Sequence, residues 1–139
     1  MKLQRIFFIL MVYLSSLLAT PTNAWNKQNT FIEVNKNLLQ GNPYLMNNFS
    51  RLQHFYNQRQ NRPIWLSTQG IKGKRVMQLL SAIQRDVTLN PRSQIHQRAK
   101  VIKNKLAYKH NQASIVELEL ELTTLYYDFL QHIIYGEID

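Results

Sequence analysis

The chain contains no cysteine, and its 139 residues include only four glycines and four prolines. The absence of cysteine excludes a disulfide framework, a thiolate metal site and a cysteine nucleophile. The scarcity of glycine and proline leaves long segments without a breaker, which favours helices over a fold of many short strands. The length limits the chain to one small domain, or two at most.

The composition that is present belongs to a folded and basic protein. Apolar residues make up 45% of the chain and aromatic residues 11%, which is too apolar for a disordered chain. The 17 lysines and arginines exceed the 8 acidic residues, for a formal net charge of +9. Such a charge bears on partners and solubility rather than on the fold.

The first 24 residues have the pattern of a secretory signal peptide. A basic start precedes an apolar run over residues 6–19, and the small residues Thr22 and Ala24 define a cleavage site after Ala24. The run is shorter than the roughly 20 residues that span a bilayer, so an uncleaved anchor is the weaker alternative. We therefore expect an exported, periplasmic protein that begins at Trp25 and has no stable membrane insertion after cleavage.

Helical periodicity dominates the rest of the chain. Residues 25–46 are expected to form a weakly helical N-terminal arm, and residues 47–139 the main domain. In the main domain, apolar residues recur at spacings of three and four within three segments, 47–60, 74–86 and 90–106. These segments predict three amphipathic helices.

The C-terminal segment fits two patterns. Residues 116–122 alternate apolar residues with glutamates, as a strand does, but leucine and glutamate are strong helix formers. A second apolar stripe, at spacings of three and four, continues to Ile133, and Gly136 offers a helix stop. The prediction is an all-α bundle of about four to five helices with a long C-terminal core helix.

Charge is segregated along the chain. Residues 51–109 contain 13 basic residues and one acidic residue, whereas residues 110–139 contain six acidic residues and no lysine or arginine. The simplest interpretation is that the acidic C-terminal helix packs against the basic helices. Lys100, Lys103 and Lys105 form either a solvated helix face or an anion-binding surface. Aromatics are not regularly interleaved there, so nucleic-acid binding is not expected.

The sequence predicts no catalytic, metal or cofactor site. The four histidines do not stand three or four residues apart, and no phosphate loop or nucleophile elbow is present. Glu117, Glu119 and Glu121 do not converge as an acid–base pair, because residues two apart on a helix point to different sides. Pairing with basic neighbours is the expected role of these glutamates.

Four short motifs follow one another along the main domain. They are Phe55-Tyr56-x-x-Arg59-x-x-x-Pro63-x-Trp65, Thr88-Leu89-Asn90-Pro91, Glu119-x-x-Leu122-Thr123 and Ile133-x-x-Gly136-Glu137. Their order and spacing resemble the N-terminal scaffold domain of large periplasmic L,D-transpeptidases, the enzymes that cross-link peptidoglycan stem peptides. The resemblance extends over about residues 50–137. The chain departs from the family pattern at three positions. Thr88 stands where the family has glycine, Glu119 where it has aspartate and Glu137 where it has arginine.

The resemblance implies a structural role for the residues that carry it. These are Phe55, Tyr56, Arg59, Pro63, Trp65, Leu89, Pro91, Glu119, Leu122, Thr123 and Gly136. The large aromatics among them are expected in the core, since such side chains dominate burial in small domains. An apolar groove that receives a partner is the alternative for these aromatics.

The resemblance implies the fold and the periplasmic location of this scaffold domain, but not the transpeptidase reaction. In such enzymes a peptidoglycan-binding module and a catalytic domain with a cysteine nucleophile follow the scaffold, and this chain has no cysteine. We expect a non-catalytic, exported module of cell-wall metabolism, partnered by peptidoglycan or a cell-wall transpeptidase, or the remnant of a truncated enzyme. The alternative is a basic periplasmic protein that binds anionic envelope polymers or the membrane surface.

Overall fold

The computed structural model describes residues 32–67 and 70–136. These residues form five α-helices and one short hairpin: α1 (Pro43–Met46), α2 (Phe49–Gln58), β1 (Leu66–Ser67), β2 (Gly70–Ile71), α3 (Gly73–Arg85), α4 (Gln94–Lys105) and α5 (Gln112–Tyr135). The all-α prediction is confirmed, and so is the long C-terminal helix. The expected signal peptide and residues 25–31 of the arm lie outside the described residues.

Local sequence signals define the helix boundaries. The side chains of Asn42, Ser93 and Asn111 each accept a hydrogen bond from the backbone N–H three residues later and thereby cap α1, α4 and α5. Helix α5 ends at Gly136, whose φ of 83° lies in the region that glycine adopts most readily. The predicted stop at this glycine is therefore confirmed.

The described part of the N-terminal arm contains little helix. Residues 36–41 form turns, and helix is confined to the four residues of α1. The Asn35 side chain accepts a hydrogen bond from the backbone N–H of Leu38 at 3.0 Å. A bond of this kind satisfies a backbone N–H without a helix and therefore competes with helix formation. The arm is nevertheless anchored, because Ile32, Val34 and Leu39 are buried.

Helix α5 runs through the centre of the fold. Residues 118–126 are all buried, whichever face of the helix they occupy. Leu118, Leu122 and Leu125 pack in the larger core cluster with residues of α3 and α4, whereas Leu120 packs with the arm, α1 and α2. The strand-like alternation over 116–122 therefore belongs to a helix in which Glu119 and Glu121 are buried along with the leucines, whereas Glu117 is partly exposed.

The segment between α2 and α3 turns the chain back along α5. Gln60 and Asn61 both have positive φ values, 55° and 59°, and the Asn61 N–H donates to the Tyr56 carbonyl at 2.7 Å. The hairpin that follows pairs Leu66 with Ile71 in antiparallel register. This path brings the backbone before the hairpin against the middle of α5.

The helices pair their charges as the segregation along the sequence suggests. The Lys105 ammonium group lies 2.8 Å from a Glu121 carboxylate oxygen, and an Arg51 nitrogen lies 3.5 Å from an Asp128 oxygen. Both contacts join a basic segment to the acidic helix α5. None of the described helices is both long enough and apolar enough to cross a bilayer.

Candidate functional site

Helix α5 carries a carboxylate at the centre of the fold. Glu119 is completely buried. Its Oε1 accepts hydrogen bonds from the Tyr56 hydroxyl and from the Ile64 N–H, both at 2.7 Å. Its Oε2 accepts one from the Trp65 N–H at 2.8 Å. One side chain thus joins α5 to α2 and to the segment that precedes the hairpin.

Thr123, one helical turn after Glu119, extends this network. Its hydroxyl donates to the Glu119 carbonyl at 3.0 Å, accepts from the Trp65 indole N–H at 3.0 Å and lies 2.7 Å from the Tyr56 hydroxyl. We call Tyr56, Ile64, Trp65, Glu119 and Thr123 the Glu119 cluster. It unites residues from two of the four motifs, which lie on α2, on the segment before the hairpin and on α5, into one hydrogen-bonded unit.

The electrostatics of the Glu119 cluster follow from its burial. Burial raises the pKa of Glu119, and the hydrogen bonds from Ile64, Tyr56 and Trp65 oppose that increase. Burial, followed by the nearby Glu119 charge, raises the pKa of Tyr56 well above its usual value. Tyr56 therefore keeps its proton and remains a donor to the carboxylate.

The Glu119 cluster is closed to solvent. Tyr56, Trp65, Glu119 and Thr123 all have exposed fractions of 0%. Their polar groups satisfy one another, and a substrate has no access to them. The arrangement thus holds the fold together and offers no acid or base to a reaction.

Three other motif residues flank the cluster. Phe55 packs edge-on against Tyr56, with ring centroids 5.1 Å apart. The Arg59 guanidinium lies 5.5 Å from the centre of the Phe55 ring and donates to the carbonyls of Arg62 and Pro63. Pro63 is itself buried. The first motif is therefore brought together as a unit against α5.

The remaining motif residues lie elsewhere. Leu89 and Leu122 are buried in the larger core cluster. Pro91 is exposed in the turn before α4, and Gly136 is exposed at the C-terminal end of α5. The structure thus collects only part of the sequence-predicted set at the Glu119 cluster, and Ile64 joins through its backbone without a side-chain signal in the sequence.

A second polar cluster lies on the other side of α5. The Asn42 side chain donates to Glu117 at 2.7 Å and to Glu121 at 3.0 Å, and Lys105 contacts both Glu121 oxygens at 2.8 and 3.0 Å. Lys105 is therefore committed to an internal ion pair and does not belong to a free anion-binding surface. Lys100 and Lys103, the other two lysines of that expected surface, are exposed.

A third polar contact joins α1 to α5. The Tyr44 hydroxyl donates to Asp128 at 2.7 Å, and the Arg98 guanidinium lies 4.1 Å from the centre of the Tyr44 ring. Burial raises the pKa of Asp128, and the hydrogen bond from Tyr44 and the charge of Arg51 oppose the increase. None of the four sequence motifs contains Tyr44 or Asp128, which are 84 residues apart.

Asp86, Thr88 and His132 meet where α3 and α5 end. The His132 Nε2 lies 3.1 Å from the Thr88 hydroxyl and 3.4 Å from Asp86 Oδ2, and the Thr88 hydroxyl donates to Asp86 Oδ1 at 2.7 Å. A hydrolase triad places the acid and the nucleophile on opposite ring nitrogens. Here both oxygens approach one nitrogen, so the set is not such a triad. The backbone N–H and the hydroxyl of Thr88 both donate to Asp86 Oδ1, at 2.9 and 2.7 Å.

The described residues contain no group of three or more histidine, aspartate or glutamate side chains placed to hold a metal ion. The carboxylates of Glu119, Glu121 and Asp128 instead join α5 to other segments of the chain through hydrogen bonds.

Comparison with known proteins identifies the family. The model of the scaffold-domain family matches residues 50–139. No curated protein and no solved structure matches the chain significantly. The matched interval includes nearly all of α2, the hairpin and helices α3 to α5, and it contains the whole Glu119 cluster. Because the match extends over more than half of the sequence, the chain belongs to the scaffold-domain family.

Proposed function

We propose that this protein is an exported, non-catalytic module of the L,D-transpeptidase scaffold type that acts in peptidoglycan metabolism. The observation that carries the proposal is the Glu119 cluster. The motif residues that resemble the transpeptidase scaffold are far apart in sequence, and Tyr56, Trp65, Glu119 and Thr123 meet in one buried network. The shared order and spacing of the motifs, together with the meeting of these residues in this chain, are stronger support than any one of these short motifs.

The chemistry of the chain supports a non-catalytic role. The nucleophile of the transpeptidase reaction is a thiolate, and the sequence has no cysteine. The polar groups of the Glu119 cluster are buried and hydrogen-bond to one another, as in a structural centre. The module therefore acts through its surface, by binding peptidoglycan or by docking to a cell-wall transpeptidase.

Co-sedimentation with purified peptidoglycan sacculi tests this role. We expect the exported protein to be retained at low salt and also at about 1 M salt, where the Debye length falls to about 3 Å and weak charge attraction is screened. Retention at both salt concentrations supports specific wall binding. If the protein stays in the supernatant at both, the wall-binding form of the proposal is wrong, and binding to a purified transpeptidase decides the docking form.

A second candidate function is the binding of anionic envelope polymers by charge alone. The observation that favours it is that Lys100 and Lys103 are exposed on α4, and no carboxylate in the described ranges pairs with them. This candidate predicts retention at low salt only, abolished by Lys100→Glu with Lys103→Glu. Specific wall binding predicts that the same double variant is retained at high salt.

A further inference from the structure

Helix α4 has an inner side that packs in the fold and an outer side that faces solvent. On the inner side, Ala99 and Ile102 are buried in the larger core cluster. The outer side and the turn that follows the helix contain five exposed residues, Lys100, Val101, Lys103, Tyr108 and Lys109. We call these residues the α4 patch. Cations and large apolar side chains thus share one short segment of the surface.

The lysines of the α4 patch have no acidic partner among the residues that the structure describes. The neighbouring sequence supplies none, because residues 87–116 contain no aspartate or glutamate. The two other cations of α4 are occupied inside the fold. Lys105 pairs with Glu121, and the Arg98 guanidinium stacks on the Tyr44 ring. With those two set aside, the patch still has a positive charge on each of its lysines.

Two apolar side chains lie exposed among these lysines. Val101 is 44% exposed and Tyr108 is 73% exposed. The turn that contains Tyr108 is held by hydrogen bonds, since its N–H donates to the Lys105 carbonyl at 3.2 Å and the His110 Nε2 donates to the same carbonyl at 2.7 Å. The apolar surface beside the lysines is therefore part of a fixed backbone conformation.

The combination of charge and apolar surface indicates the kind of partner. Unpaired lysines attract an anionic surface. An anionic polymer would pair with the lysines but would leave Val101 and Tyr108 in water. A second copy of the chain would bring like charges together and is therefore disfavoured.

The surface of an anionic bilayer matches both parts of the α4 patch. Lysine ammonium groups are attracted to anionic headgroups, and their aliphatic stems cover apolar surface. Apolar side chains between the lysines enter the boundary between headgroups and acyl chains. Tyrosine is enriched at this boundary, because its ring is apolar and its hydroxyl is polar. Charge complementarity and exposed apolar area therefore favour the same partner.

We infer that the α4 patch is a peripheral binding surface for a bilayer that contains anionic phospholipids. Helix α4 has 12 residues and packs against the core on its inner side, so it lies along the bilayer surface and does not cross it. This inference deepens the second candidate function, because it rests on the same exposed lysines and names their partner. It does not depend on the proposed role in peptidoglycan metabolism.

Co-sedimentation with lipid vesicles tests the charge of the patch. At about 0.1 M salt, we expect the protein to bind vesicles that contain phosphatidylglycerol and not vesicles of phosphatidylcholine alone. The double variant Lys100→Gln/Lys103→Gln should bind at least about tenfold more weakly, because both cations act close to the anionic surface. The matched control Lys74→Gln/Arg85→Gln removes two exposed positive charges from α3. Its affinity should stay within about threefold of the wild type, because charges away from the bilayer are screened.

A second pair of variants tests the apolar part. Val101→Gln/Tyr108→Gln keeps every charge and should weaken vesicle binding at least about fivefold, because binding scales with the apolar area that enters the interface. The control Met77→Gln/Val87→Gln changes two apolar side chains that are exposed elsewhere, and it should bind like the wild type. Thermal unfolding establishes that each variant is folded. Val101→Trp should shift its fluorescence to shorter wavelength on anionic vesicles, whereas Met77→Trp should not.

Three results would overturn the inference. They are no binding to phosphatidylglycerol vesicles, equal weakening in the two charge variants, and unchanged binding of Val101→Gln/Tyr108→Gln, which would assign binding to charge alone. Purified sacculi contain no phospholipid and the vesicles contain no peptidoglycan, so failure here is distinguishable from failure of either candidate function. Retention on sacculi without vesicle binding would overturn only the lipid inference.

Discussion

At the scale of single residues, Glu119 is the side chain that joins α5 to α2 and to the segment before the hairpin. The sequence identifies Tyr56, Trp65, Glu119 and Thr123 as parts of a family pattern. It does not reveal that the backbone N–H groups of Ile64 and Trp65 are the partners of the carboxylate, because every residue except proline has such a group. A buried acid is predictable from the motif, but its donors become visible only in the fold.

Replacing Glu119 by alanine should destabilise the protein strongly. The change leaves the N–H groups of Ile64 and Trp65 buried without an acceptor, at roughly 1–3 kcal/mol each, so we expect a loss of roughly 2–6 kcal/mol in the free energy of unfolding. Urea unfolding measures it. Glu117→Ala on the same helix is the control and should cost less than about 1 kcal/mol, since its carboxylate is partly exposed. Equal losses would show that Glu119 has no special role.

Asp128 should make stability depend on pH. Burial raises its pKa in the folded protein above the ordinary 3.8, so the folded state binds this proton more tightly than the unfolded state does. The resulting stabilisation is present below pH 3.8 and is lost as the pH rises through the folded pKa. Asp128→Asn keeps an acceptor for Tyr44 without the ionisation.

The free energy of unfolding of Asp128→Asn, relative to the wild type, should therefore increase as the pH rises. A series of urea titrations that begins below pH 3.8 measures the difference. A difference that does not change with pH would mean that the pKa of Asp128 is the same in the folded and unfolded states.

At the scale of secondary structure elements, α5 shows what periodicity can and cannot predict. The helix-forming tendency of leucine and glutamate correctly overrides the strand-like alternation over 116–122. The burial of Glu121 could not be predicted, since it depends on Lys105 and Asn42 from other elements. The hairpin also lacks a periodic signal, because each strand has only two residues. Only the departure from helix before Pro63 is visible in the sequence.

The cap of α5 gives a test at this scale. The Asn111 side chain accepts a hydrogen bond from the Ser114 N–H at 2.9 Å, so Asn111→Ala should cost about 1 kcal/mol of stability. Asn111→Ser retains an oxygen that can cap the helix and should cost clearly less. Thermal unfolding compares the two variants. An equal loss in both would indicate that the cap bond does not stabilise α5.

At the scale of the whole molecule, contacts inside the fold pair much of the acidic charge of α5 with groups from other segments. The acidic residues Glu119, Glu121 and Asp128 of α5 are occupied by contacts inside the fold. The exposed surface therefore keeps much of the basic excess, including Lys100 and Lys103. The sequence predicts the packing of acidic against basic helices, whereas which cations stay exposed depends on tertiary contacts.

Export makes a prediction for the whole chain. If the N-terminal pattern is a cleaved signal peptide, the protein isolated from the periplasm should begin at Trp25, as N-terminal sequencing or intact mass can determine. A periplasmic form that retains Met1 would contradict cleavage. Recovery of the protein only from the cytoplasm would contradict export and the proposed role in peptidoglycan metabolism.

Amide hydrogen exchange at Ile64 and Trp65 tests most directly whether Glu119 holds the segment before the hairpin against α5. Both N–H groups lie outside the helices, yet they donate to a completely buried carboxylate. We expect them to exchange as slowly as the core amides of α5, through global unfolding. Exchange as fast as in the turns of residues 36–41 would show that the Glu119 cluster does not hold this segment.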